Sequence, residues 1–334
     1  MCYYNAILRH FLHCCAFCII FRKIGLHTHQ YPWHSPDLDL AVKDLLKHRH
    51  IHTAHTASTN SALIELVVSH ALAQDLPHLF TTDTQSAGKG QHGRAWANGA
   101  GNVFLSLYVP MTNAKNTPNP LSLGRLSGVL SLLIGVQICQ LPSIAKYNEC
   151  AATQNLTAKN LAKIGVKWAN DIGYYQQKTF HKLAGILIEP VFCQQAKSLV
   201  GVVIGVGLNV RTTPALKSTH AMPYFATSLS EILANSGIAC PSAHEMYAPL
   251  TQLLALALAR CNTLTHDDSQ MTAFITEFNA LHLLHNQPIA LHGAPHTPSD
   301  AQIGTCTGIN HDGALLFAKD GVQTPIFAGS VQLV

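Results

Sequence analysis

Charged side chains are scarce in this sequence: Asp, Glu, Lys and Arg make up 11% of its 334 residues, where ordinary globular chains carry roughly 25%. That scarcity excludes intrinsic disorder and solvating tails, and the 48% of apolar residues supplies ample material for a core. Long apolar runs are missing too. The longest near the N-terminus, Cys14–Phe21, has eight residues, against the ~20 that a membrane-spanning helix requires, so no membrane partner is expected. The ten cysteines lack any repeating spacing, and a chain of this size needs no covalent staples, so reduced thiols in a cytoplasmic protein are expected. Cys14, Cys15 and Cys18 have no second CxxC pair to complete a metal site, and they lie within the apolar run, where packed thiols are the simpler reading. A dense basic stripe is also absent. The first 60 residues supply +3 of the net +4, and without the cationic footprint of a nucleic-acid binder no nucleic-acid partner is expected.

The length is about twice a ~150-residue domain, which suggests one large domain and one small one. Residues 1–48 read as an irregular N-terminal extension, 49–284 as the main domain and 285–334 as a small terminal domain. His48, His50, His52 and His55 recur as on one strand face, a pattern that suits either a metal or solvated side chains. Ser58-Thr59-Asn60 is an N-cap cluster ahead of a helical run of apolar residues. Strands are predicted at Asn102–Val109, Ile164–Trp168, Leu183–Pro190 and Leu199–Val206, and helices at Leu121–Leu141, Ala226–Asn235, Ala243–Cys261 and Gln270–Leu284. The last 50 residues hold short β-prone runs at Ile289–His292, Gln302–Ile309, Ala314–Phe317 and Val331–Val334, with turns at Asp312-Gly313 and Asp320-Gly321, the pattern of a small barrel.

Three segments carry chemistry. Residues 85–96 place Gly88, Gly90 and Gly93 beside the cations Lys89 and Arg94, so the backbone is free to wrap an anion. This is not a P-loop, because Lys89 is followed by Gly90 and no glycine stands five residues before Gly88; an ordinary turn is the plainer reading of such a loop taken alone. Lys167-Trp168-Ala169-Asn170-Asp171 ends one strand and Lys182–Glu189 opens the next, which brings a carboxylate and two lysines to neighbouring strand ends. Lys182, entering an apolar strand, is either a solvated end or the partner of an anion. Gly205-Val206-Gly207-Leu208-Asn209 lacks the third glycine of a dinucleotide fingerprint, but two glycines and an amide could admit a flat base.

Taken together and in order, the STN helix start at Ser58, the Gly88–Trp96 loop, KWAND at Lys167–Asp171, KLAGILIE at Lys182–Glu189, GVGLN at Gly205–Asn209 and ATSL at Ala226–Leu229 resemble the biotin protein ligases, in the type without an N-terminal DNA-binding domain. The loop departs from the family pattern at Lys89, Gln91 and His92, Ala169 replaces a proline, and the chain ends without the terminal arginine of many relatives.

The resemblance implies an α+β fold, a class II synthetase-like biotin/lipoate ligase catalytic domain whose mixed sheet is packed by helices, followed by a small C-terminal SH3-like β-barrel. It implies ATP-dependent formation of biotinyl-5′-AMP with Mg2+, then transfer of biotin to a lysine of a biotin carboxyl carrier protein, the carrier domain of acetyl-CoA carboxylase, by a monomer or homodimer. Lys182, Asp171 and Lys167 are then the catalytic residues, with Asp171 the candidate magnesium ligand. Ser58, Thr59, Asn60, Gln85, Gly88, Lys89, Gln91, Arg94 and Gly185 fall at biotin-binding positions, and Trp96, Asn170, Gly205, Gly207 and Asn209 at ATP-binding ones. A lipoate or octanoate ligase of the same fold and a non-catalytic biotin-responsive repressor are the alternatives.

Overall fold

The computed structural model describes residues 35–111, 120–153, 162–193, 197–215, 224–234, 236–264, 269–293 and 302–334. Cys2, Cys14, Cys15 and Cys18 lie outside these residues. Residues 35–334 form one compact unit.

Helix α1 (Pro36–His48) starts where Ser35 Oγ accepts from Leu38 N and a proline occupies the first turn. Its buried stripe of Leu38, Val42 and Leu45 makes it part of the fold, which corrects the expectation of an irregular segment up to residue 48. Strand β1 (His50–Thr56) runs parallel to β2 (His78–Gln85), with α2 (Thr59–Val68) between them in sequence. Leu63 and Val67 of α2 pack against Phe80, Tyr108, Val191 and Val203, an apolar cluster that fixes the helix on the sheet.

The remaining strands of this sheet are β3 (Val103–Pro110), β4 (Gly165–Lys167), β5 (Asp171–Gln176), β6 (Thr179–Cys193), β7 (Ser198–Leu208) and β8 (Tyr224–Ala226). Among the described residues the order is β1-β2-β3-β7-β6-β5-β4, with β8 alongside β6. The β1–β2 and β6–β8 pairs are parallel and the rest antiparallel, so the sheet is mixed. Helices α3 (Leu130–Cys139), α4 (Pro142–Thr153), α5 (Leu229–Leu233), α6 (Ala243–Thr263) and α7 (Ser269–Leu281) complete this part. Helix α3 is buried on nearly every side and packs on α6, which also meets α1. Helix α6 begins with a capping box between Ser242 and Glu245.

Two predicted helices are shorter than their apolar runs suggest. Residues 120–129 precede α3 as turns, because Leu121 and Leu123 are buried by an irregular segment in which Leu123 N donates to Pro110 O. Residues 224–226 form β8, and Ser228 caps α5, so the predicted helix from Ala226 starts three residues later, at Leu229. Strands β9 (Gln287–His292), β10 (Gln302–Ile309), β11 (Leu315–Lys319), β12 (Val322–Ile326) and β13 (Ser330–Leu333) form a separate antiparallel sheet in the order β12-β11-β10-β9-β13. Trp168 Nε1 donates to Gly313 O at 2.9 Å across the junction, which ties the β4–β5 turn to this terminal sheet.

Candidate active site

Two cavities meet on the sheet. The smaller, about 50 Å3, is lined by Ser58, Thr59, Asn60, Gln85, Gly185, Gly205 and Gly207 among others. The larger, about 740 Å3, lies between the 88–96 loop, the β4–β5 turn and terminal-sheet residues that include Phe327, Gly329 and Gln332. Lys182, Trp96, Gln91 and Asn170 line both.

The small cavity is a polar end built on a helix start. Ser58 caps α2, and its Oγ accepts from Ser61 N. Gln85 closes β2, where its Oε1 accepts from Thr59 N at 2.7 Å and from Thr59 Oγ1 at 3.2 Å. Ser106, a polar side chain within the apolar strand β3, donates from Oγ to Asn60 Oδ1 at 2.5 Å and sits 2.8 Å from Thr59 Oγ1. Asn60 Nδ2 in turn donates to Glu189 Oε2 at 2.7 Å. Ser106 and Glu189, not assigned a role from sequence, line neither cavity but hold the lining residue Asn60 from behind. A lone serine amid the apolar residues of NVFLSLYV was the available signal for the first of them.

The middle of the site rests on glycine. Gly185 of β6 stands directly opposite Gly207 of β7, and the Trp96 indole lies over both. A Cβ on Gly207 would come within 2.4 Å of Trp96 Cε2, and one on Gly185 within 2.9 Å of Trp96 Cζ3. The flat space expected for a nucleotide base over Gly207 thus holds the chain's own indole. Gly205 is also placed differently from expectation: its missing Cβ makes room for the Asn60 amide, 2.3 Å from Oδ1, so it serves the small cavity. Asn209, though it lines the larger cavity, has its side chain committed, with Nδ2 donating to Thr227 O at 3.0 Å and Oδ1 accepting from Asn102. It pins the end of β7 to the residues that start α5. Asn170 likewise donates to Ile186 O at 2.9 Å and braces the β4–β5 turn on β6.

The cationic end gathers the lysines and carboxylate of KWAND and KLAGILIE, with Lys167 ending β4, Asp171 opening β5 between β4 and β6, and Lys182 inside β6, which starts at Thr179 and not at the expected strand end. Lys182 Nζ pairs with Asp171 Oδ1 at 2.7 Å, with their side chains 19% and 22% exposed. The same ammonium lies 5.2 Å from the Trp96 ring centroid. Lys167, opposite Asp171 in the β4–β5 ladder, stands over Phe180 at 4.9 Å. Burial pushes its ammonium below the usual lysine range, Lys182 and Arg94 push the same way, and Asp171 opposes them. Tyr175 and Lys178, not singled out from sequence, also line the larger cavity, and burial together with Asp171 raises the Tyr175 phenol.

The 88–96 loop is a small folded hairpin. Gly90 N donates to Arg94 O at 2.7 Å and Trp96 N to Gly88 O at 2.8 Å, with Lys89 bridged to Ala95. His92 and Gly93 take positive φ at its tip, 56° and 71°. Lys89 and Arg94 are exposed and Gln91 is half-buried, and Lys89 lines the smaller cavity while Arg94 lines the larger. The loop's own backbone bonds thus define its conformation. Gly88 is buried beneath the hairpin, where a Cβ would meet Trp96 O at 2.8 Å, so it shapes the loop.

A magnesium ion that accompanies a triphosphate needs one or two protein carboxylates besides phosphate and water. Asp171 is the only carboxylate lining either cavity among the described residues, and the residues present fit a cation held mainly by its phosphates.

The Biotin/lipoate A/B protein ligase family model matches residues 52–209. Over 251 residues the chain is 26% identical to the bifunctional ligase/repressor BirA of Escherichia coli, which covers 75% of this chain and 64% of that protein. Over 202 residues it is 32% identical to the biotin–[acetyl-CoA-carboxylase] ligase of Mycobacterium tuberculosis, which covers 60% of each. The chain thus matches less than two thirds of the length of these curated relatives. The fold matches that of the biotin protein ligase from Aquifex aeolicus in complex with biotin and ATP, at a TM-score of 0.54 and 18% identity, over 86% of this chain and 100% of that one. The matched residues 52–209 include Lys182 and the residues around the smaller cavity, so over this part of its length the chain is similar to the Biotin/lipoate A/B protein ligase family, and it shares the fold of a biotin protein ligase.

Proposed function

We propose that this protein activates biotin with ATP to biotinyl-5′-AMP, releasing pyrophosphate, and then transfers the biotinyl group to one lysine of a biotin carboxyl carrier protein. The observation that carries this reading is the position of Lys182 on the wall shared by both cavities. The small cavity offers hydrogen-bonding partners for a neutral ureido group beside apolar strand residues, and the larger has the volume and cations for a nucleotide. Lys182 lies where a carboxylate from one side meets a phosphate from the other.

In this mechanism a biotin carboxylate oxygen attacks the α-phosphorus and pyrophosphate leaves. Two anions must approach each other, so the reaction is accelerated by cations fixed at the meeting point. Asp171, 2.7 Å from Lys182 Nζ, holds that ammonium in place. Lys167 adds a second cation on the adjacent strand. Asp171 would also hold Mg2+ delivered with the triphosphate, which supplies further charge neutralisation. In the second half-reaction the carrier lysine's amine attacks the acyl carbon, AMP leaves, and Asp171 is the nearest carboxylate to take the amine's proton. The Trp96 indole and Phe327 are apolar groups lining the larger cavity that would face the mixed anhydride.

The test is pyrophosphate release with ATP and biotin, lipoate or octanoate in turn. The proposal expects release with biotin alone. Release with lipoate or octanoate and none with biotin would move the protein to the other branch of that family.

A further inference from the structure

Outside the catalytic cavities, three side chains from three different elements converge at the β1–β2 edge of the sheet: His52 of β1, Asp83 of β2 and His244 in the first turn of α6. One ligand-type atom from each lies within 4.8 Å of the others, and all three residues are exposed. The His52 Nε2 to Asp83 Oδ1 distance is 3.5 Å, and the His52 and His244 ring centroids are 5.5 Å apart.

The geometry points to a surface site for a borderline divalent cation, Zn2+ or a close analogue, held by His52, Asp83 and His244. Two imidazoles and a carboxylate are a donor set that such ions prefer, whereas Mg2+ and Ca2+ prefer oxygen ligands. Around Zn2+, bonds of about 2.0–2.2 Å in a tetrahedron put ligand atoms roughly 3.3 Å apart. The His52–Asp83 spacing of 3.5 Å is close to that value, and with all three ligand atoms within 4.8 Å of one another His244 needs a side-chain adjustment of at most about 1.5 Å.

The ring of His52 is also oriented for the purpose. Its Nδ1 lies 2.9 Å from Thr81 Oγ1. A neutral imidazole carries one proton, and with that proton on Nδ1 donated to Thr81 the Nε2 lone pair is left facing Asp83. The Thr81 hydroxyl then donates its own proton to His50 Nε2 at 2.8 Å. Thr81 is thereby a positioning residue, in the way that an outer hydrogen bond fixes the tautomer and aim of a ligating histidine. Solvent completes the coordination. Because the ligands come from β1, β2 and the start of α6, a bound ion fastens the helix to the edge of the sheet. Of the histidines whose alternation suggested a metal in the sequence, only His52 takes part: His48 ends α1, His50 is held by Thr81, and His55 Nδ1 bonds Thr84 Oγ1.

The test is titration of the full-length protein with Zn2+ by calorimetry, paired with the visible spectrum of Co2+ as a substitute. The parent is expected to bind one ion through nitrogen and oxygen, with d–d bands and no thiolate charge-transfer band for that equivalent, and Mg2+ in excess is expected not to displace it. Asp83→Asn, His244→Ala and His52→Ala should each weaken that equivalent at least tenfold. These positions are exposed, and unchanged melting of each variant in chelator shows that the fold is kept. Thr81→Val, which keeps the three ligands and removes the hydrogen bond, should weaken binding by a smaller factor. Parent and variants with the same isotherm, or a Co2+ spectrum dominated by thiolate bands, would overturn the proposal.

Discussion

Replacing Gly205 with alanine tests the polar end of the site without touching the cationic one. The added Cβ would stand 2.3 Å from Asn60 Oδ1 and 3.0 Å from its Cγ and Nδ2. Asn60 is only 4% exposed, and its two main bonds, from Ser106 at 2.5 Å and to Glu189 at 2.7 Å, leave it no room to withdraw. The amide must therefore swing away and leave at least one buried group unpaired, at about 1–3 kcal/mol. Alanine in place of glycine within a strand returns roughly 0.5–1 kcal/mol. The expected net effect is a small loss of stability and a disordered rim around Thr59 and Gln85. If that rim binds the ureido group, biotin affinity should fall by about tenfold to a hundredfold, equivalent to roughly 1.4–2.7 kcal/mol. Gly205 and Asn60 line the small cavity and not the larger one, so affinity for a non-hydrolysable ATP analogue should change by less than about threefold. Separate calorimetric titrations with biotin and with the analogue make the comparison, and urea unfolding gives the stability. A Gly205→Ala protein that binds biotin as tightly as the parent refutes the assignment of this network to biotin.

Lys182→Ala should cut adenylate formation by about a thousandfold, several kcal/mol of transition-state stabilisation, with little change in melting temperature; a rate within tenfold of the parent's would remove Lys182 from the role given to it. Gln91→Arg should slow the escape of biotinyl-AMP and reduce labelling of a bystander protein, because arginine offers a charge-assisted contact where the half-buried amide offers a neutral one; equal off-rates would mean that Lys89 and Arg94 already compensate. His282 is buried at the foot of β4, where its backbone bridges Val166, and burial lowers its imidazole from the usual 6.5 to about 3. Its contribution to stability is therefore complete above pH 6.5 and fades as pH falls toward 3, because the unfolded chain takes up a proton that the folded chain refuses, at up to about 1.4 kcal/mol per pH unit. Urea midpoints at pH 7 and pH 5 should draw closer together in His282→Gln, and identical acid sensitivity in the two proteins would count against this account. Removing residues 1–48 strips Leu38, Val42 and Leu45 from the fold, at about 1.5–3 kcal/mol for each buried side chain; a truncated protein with the parent's urea midpoint would show that α1 contributes no stability.

The sequence by itself determined those features that depend on neighbouring residues. Ser58, Ser228 and Ser242 cap helices because a hydroxyl satisfies the free N–H groups of the next turn, and β10 spans Gln302–Ile309 as its β-prone run indicated. The end of β4 at Lys167 was equally legible, because it closes an apolar run, whereas β5, opened by Asp171, was not foreseen and β6 begins at Thr179, which puts Lys182 inside the strand and not at its end. What depends on register and on distant packing came only from the tertiary structure. That Gly185 faces Gly207, that Gly205 yields to Asn60, and that the Trp96 indole fills the space over the glycines follow from pairing β6 with β7 and laying a remote loop upon them. Helix α1 looked irregular because its buried stripe has meaning only against α6, and β12 was overlooked because its outward residues, Val322 to Pro325, are exposed and carry no apolar pattern. The cluster of His52, Asp83 and His244 joins residues almost two hundred positions apart. Local chemistry specifies caps, turns and strands, whereas a site assembled from several elements exists only once the burial of a shared core has fixed how those elements meet.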